Sequence, residues 1–117
     1  MLKRLAVVLL FACTALAQAA GHQAQLNWTT PSDATSSSAY NVYRANAVCP
    51  ASGTGTLTWT KITATPVAAL TYTDTTITVG SWCYYVTQVQ GTHESPPSNT
   101  AGGDALPNSP SITVIIQ

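Results

Sequence analysis

From residue 23 onward, bulky and polar side chains alternate in short runs, separated by clusters of Gly, Pro, Ser and Asp. A period of two places successive side chains on opposite faces of an extended chain, so each run predicts a β-strand. Residues 23–29 put Leu26 and Trp28 on one face and Asn27 and Thr29 on the other. The polar stretch "TPSDATSSS" then predicts a turn, and 39–44 a second strand with Tyr40 and Val42 pointing the same way. A long loop through Cys49, Pro50, Gly53 and Gly55 leads to a run over 57–62 with Trp59 in its middle. A short strand over 70–73 carries Tyr72 and is closed by Asp74, whose side chain suits a turn. The strongest run is 82–90: Trp82, Tyr84 and Val86 share one face, and Cys83, Tyr85 and Thr87 the other. No helical periodicity and no internal repeat occur after residue 20, so the expected fold class is all-β.

Residues 1–20 follow a different rule. Lys3 and Arg4 precede an apolar run over 5–12, and small residues follow at Ala15, Ala17, Ala19 and Ala20, the layout of a secretory signal peptide. Cleavage after Ala19 or after Ala20 fits equally. The run falls short of the roughly 20 apolar residues that span a bilayer, so a secreted or cell-surface location without a membrane span is expected. A rival reading takes Cys13, preceded by Leu10, Phe11 and Ala12, as the lipid-bearing cysteine of a lipoprotein. Phe11 is bulky for that role.

Past residue 20 the cysteines are Cys49 and Cys83. An even pair in a small exported chain implies a disulfide. Neither has a second cysteine or a histidine at ligand spacing, so no metal is expected. Charge is sparse: Arg44 and Lys61 stand against Asp33, Asp74, Glu94 and Asp104. Nothing there would hold a phosphate backbone, which argues against nucleic acid as a partner. Abundant Thr, Ser, Val and Tyr suit sheet rather than disorder.

The stretches "LNWTTPSDATSSSAYNVYR", "WTKI", "TYTDTTITVGSWCYYVTQV" and "ESPPSN", in this order, resemble a fibronectin type III domain of the bacterial secreted kind. The resemblance covers about 25–99 and implies a two-sheet, immunoglobulin-like β-sandwich over 21–109. It implies a core of Leu26, Trp28, Tyr40, Val42, Tyr72, Trp82, Tyr84 and Val86. In the family a tyrosine fixes the corner at the start of strand F; this chain has Trp82 there, which leaves that hydrogen bond without its usual donor. Strand C of such a sandwich runs antiparallel to strand F, so the end of C near Arg44 would lie beside Trp82, bringing Cys49 to Cys83. Closing that loop would contribute about 4 kcal/mol.

The same resemblance leaves one strand missing and one surplus. Only a few residues separate the expected cleavage site from "QAQLNW", too few for a strand A ahead of strand B. The run "PSITVIIQ", with Ile112, Val114 and Ile116 on one face, follows the weaker strand-G candidate "NTAGGDAL". Strand G should end about 25 Å from where strand A begins, and residues 107–110 reach at most about 14 Å. One expectation is therefore that 111–117 is donated to the empty strand-A position of a neighbour, building a fibre from head-to-tail contacts. The others are that it is the true strand G, or that it pairs along its own domain.

Chemistry is scarce. His22 and His93 lack a partner arranged for a triad, Asp33, Asp74 and Asp104 are read as turn residues, and Glu94 as a solvated loop residue. No enzyme activity and no cofactor are expected. The segment "GTHESPP", with Thr92, His93 and Glu94, is the loop expected to project toward a protein or glycan ligand; it contains no Arg-Gly-Asp. Tyr43, Tyr85 and Trp59 could form an outward aromatic strip for sugar rings, although covering the sheet is the simpler role. "NWT" at Asn27 is a glycosylation sequon where the host has the machinery. Two functions follow: a secreted interaction or adhesion module, or the subunit of an extracellular fibre.

Overall fold

Seven strands alternate with turns along residues 21–117, the part of the chain that the computed structural model describes. The signal-peptide segment 1–20 and Cys13 lie outside the described residues. The strands are β1 (Ala24–Asn27), β2 (Ala39–Ala45), β3 (Thr60–Lys61), β4 (Thr71–Asp74), β5 (Gly80–Gln90), β6 (His93–Glu94) and β7 (Ala101–Ala105). They form two antiparallel sheets, and no helix occurs among the described residues. Among the described residues one sheet holds β1 and β4; the other runs β3-β2-β5, with β6 and β7 both paired to β5. The fold is all-β and consistent with a sandwich.

The pairings give the molecule two poles. Ala39 faces Val89 at one end of the β2–β5 ladder and Ala45 faces Cys83 at the other. Gly80 pairs with Ala105 at that second end. The loop from β1 to β2 places the end of β1 at the first pole, and hence its start, together with the end of β7, at the second.

Inward parity explains the core. Val42 is fully buried and packs with Ile77, Trp82 and Tyr84, while Ala24, Leu26, Trp28, Tyr72, Val86 and Ala105 are only partly buried around them. Tyr40 is buried and meets the Trp28 ring at 5.6 Å. The Trp82 indole Nε1 donates to the Thr78 carbonyl at 2.8 Å, so the side chain at the start of β5 bonds back to backbone just upstream.

Several expected elements differ in extent. Of residues 57–62 only Thr60 and Lys61 form a strand, because the Trp59 indole Nε1 donates to Thr54 O and holds the preceding segment as a turn. His93 and Glu94 are not a projecting loop but a strand: Gly91, at φ 61°, makes the reversal, a region of backbone that favours glycine. The edge from 93 to 105 is one interrupted strand. Pro96 and Pro97 have no N–H to give to the ladder, and the chain bulges by two residues between the β6 and β7 registers. Ser95 and Ser98 bridge the gap. Each donates its N–H to a β5 carbonyl, Gln88 O at 2.8 Å and Val86 O at 2.9 Å, and accepts the same residue's N–H on its hydroxyl.

Cys49 and Cys83 are joined, with Cα atoms 5.1 Å apart at a sequence separation of 34. The bond fastens the loop after β2 onto β5. Gly102 of β7 lies against it: a Cβ there would sit 2.9 Å from Cys83 Cα and 3.0 Å from Cys49 Sγ.

Candidate functional site: an open seam between the sheets

Among the described residues, strand β1 has β4 on one side and no strand on the other. Trp28 N donates to Leu70 O, so by alternation the amides of Gln25 and Asn27 point to the empty side. Facing this edge across the sandwich is the outer edge of β6 and β7, also unpaired. Between them runs a groove of about 1260 Å³ with Leu26, Trp28, Val86, Ser98, Ala101 and Ala105 among its walls. The partial exposure of Leu26, Trp28 and Val86 has this cause: each points inward by strand parity but meets open space instead of a covering strand. Trp28 Nε1 is enclosed there and has no hydrogen-bond partner, an unusual state for a buried donor.

The other half of the pattern is the tail. Residues 106–117 form no strand. Ile112 is 85% exposed and Ile116 90%, with Val114 at 70% and Ile115 at 79%. The edge of β5 is occupied by residues 93–105 and residues 111–117 pair with no strand of the described chain, so the readings of 111–117 as the last strand of this sheet and as a strand paired along its own domain are corrected. Pro107 and Pro110 bias their predecessors to extended backbone, which carries the chain away from the body.

The outer face of the larger sheet gathers the remaining candidates. Tyr43 and Tyr85 are cross-strand partners with rings stacked at 4.6 Å, and Trp59 meets Tyr85 edge-on at 4.7 Å. The three rings pack on one another over the outer face of the sheet, and each stays partly exposed. Glu94, expected as a solvated loop residue, instead folds onto this face. Its carboxylate accepts hydrogen bonds from Tyr43 Oη at 2.5 Å, Thr87 Oγ1 at 2.6 Å and Asn41 Nδ2 at 3.3 Å. Those bonds, Thr87's and Tyr43's foremost, hold Glu94 below the usual carboxylate range. Partial burial and the neighbouring Glu94 push the Tyr43 phenol up to about 12.

Asp104, expected in a turn, is also corrected: it lies within β7 and accepts from Ser81 Oγ at 2.7 Å. Asp74 closes β4 as expected, its Oδ1 accepting from Thr76 N two residues on, and it is in addition buried and bonded by Arg44 and Tyr84. Asp33 lies in a turn, where it accepts from Gln88 Nε2. His22 borders the groove and His93 is exposed on β6. Asn27 is exposed on β1, as its outward parity implied. Among the described residues no group of three His, Cys, Asp or Glu could hold a metal ion, and no helix is long and apolar enough to cross a membrane.

Comparison with known proteins identifies no relative: no family model matches the chain, and no curated protein matches it significantly.

Proposed function

We propose that the protein is an exported, non-catalytic interaction module of fibronectin type III type, and that it works by capturing a β-strand in its open seam. The observation that carries this is the incomplete two-stranded sheet: a free β1 edge, half-covered Leu26 and Trp28 behind it, and a facing free β7 edge. An extended segment laid there satisfies backbone groups on its edges and covers apolar side chains with alternate residues, as in β-augmentation. The disulfide suits an oxidising compartment. The indole bond from Trp82 to Thr78 O plays the part that the corner tyrosine plays in the family.

The test is site-specific photo-cross-linking in the full chain. A benzophenone side chain replaces Leu26 in the seam or Tyr43 on the outer face, and the native extracellular preparation is irradiated. Adducts from position 26 and none from 43 are expected. The reverse pattern moves the working surface to the aromatic face and ends the strand-capture reading.

A further inference from the structure

We infer that the occupant of the seam is residues 111–117 of a second copy of this chain, inserted antiparallel to β1 and parallel to β7, so that copies join head to tail. The inference rests on the seam being a strand-capture site and names the strand.

Direction decides between donation and return. The chain leaves β7 at the pole where β1 starts. A tail continuing straight from that pole enters the next copy, stacked in the same orientation, at the pole where its β1 ends. It then runs against β1 and alongside β7, the direction a strand preceding β1 would take. To reach its own seam, the tail would have to reverse within Leu106, Pro107, Asn108, Ser109 and Pro110. Both prolines bias that connector to extension. The result would be a strand parallel to β1 and antiparallel to β7, one pairing of each kind as in donation, so the reversal of the connector is what separates the two.

Composition fits the groove. Ile112, Val114 and Ile116 share one face and are exposed in the isolated chain, whereas the walls opposite present Leu26, Trp28 and Val86 incompletely covered. The alternate positions, Ser111, Thr113, Ile115 and Gln117, then face outward. Gln25 and Asn27 supply the free amides and carbonyls of the acceptor edge. The contact is heterologous, each copy giving with one surface and taking with another, so it propagates rather than closing at two.

The experiment uses the purified full chain, its Val114→Asp variant and a synthetic peptide of residues 110–117. The wild-type chain is expected to form concentration-dependent linear oligomers by sedimentation and electron microscopy. The variant, altered only in the exposed tail, should stay monomeric with an unchanged circular dichroism spectrum. Added to the variant, the peptide should raise Tm and slow exchange at Gln25 and Asn27 by roughly tenfold or more. A wild-type chain that remains monomeric at every concentration, or a Val114→Asp chain that assembles like wild type, overturns self-donation. If the peptide still protects Gln25 and Asn27 in either case, strand capture stands and the strand comes from elsewhere. If the peptide changes neither Tm nor exchange, strand capture fails too.

Discussion

Arg44 Nη1 on β2 lies 2.9 Å from Asp74 Oδ2 on β4, and the contact ties the larger sheet to the smaller one. Asp74 also accepts from Thr76 N at 3.0 Å, Thr76 Oγ1 at 2.7 Å and Tyr84 Oη at 2.8 Å. The guanidinium carbon stands 4.9 Å over the Trp82 ring. With one sheet only two strands wide, this buried link holds together layers that otherwise share an incomplete core. Replacing Asp74 by Ala leaves Arg44 without its counter-charge and Tyr84 without its acceptor, and should cost about 3 kcal/mol in urea unfolding.

The same carboxylate sets the acid limit. Burial works against its charge, but the hydrogen bonds from Thr76, Arg44 and Tyr84 outweigh that and hold it below the ordinary aspartate range. A folded pKa below the unfolded value of about 3.9 means that Asp74 stabilises the fold above that pH, with the contribution lost as pH falls through the folded pKa. Wild-type stability should therefore fall more steeply below about pH 4 than that of Asp74→Asn, in unfolding curves taken at a series of pH values.

The disulfide has a separate, entropic role. Closing 34 residues of sequence separation restricts the unfolded chain by about 4 kcal/mol in the loop-entropy model. The double variant Cys49→Ala, Cys83→Ala should lose about that much. Equal denaturation midpoints with and without the bond would contradict it.

Close packing of β7 against that bond makes Gly102 restrictive. Added to Gly102, a methyl group meets β5 backbone and the Cys49 sulfur, so Gly102→Ala should displace β7 and cost about 1–3 kcal/mol. Gly103, which has nothing near its missing Cβ, is the control. Gly103→Ala should be close to neutral on the same calorimetric scan.

Across the proline interruption, Ser98→Ala removes the acceptor for Val86 N. Water can reach part of that site, so the loss should be about 1 kcal/mol. Hydrogen exchange at the Val86 amide should accelerate more than at its β5 neighbours.

On the outer face, the Tyr43 phenol, raised to about 12 by burial and Glu94, should titrate above an ordinary tyrosine in ultraviolet absorbance. Glu94→Gln should bring it down, because the negative charge that opposes ionisation of the phenol is gone.

Much of this molecule is a matter of local pattern. Alternation over 39–44 and 82–90 is enough to name β2 and β5 and their inward faces, because a half-buried strand must repeat every two residues; the partner of Cys83 follows instead from Cys49 being the one other cysteine past residue 20. Single residues with long-range partners resist such reading. Glu94 and Asp74 look like loop and turn carboxylates until the fold brings Tyr43, Thr87 and Arg44, each distant in sequence, to their oxygens. The two serines of "SPPS" acquire their role only from the β5 amides opposite them. The surplus run at 111–117 is visible in the sequence, as is the shortage before β1 that cleavage near residue 20 would leave. That the seam is open, with β1 and β7 both bare along it, depends on how two sheets close over one core. Pairing and closure are properties of the assembled backbone, and no local period encodes them.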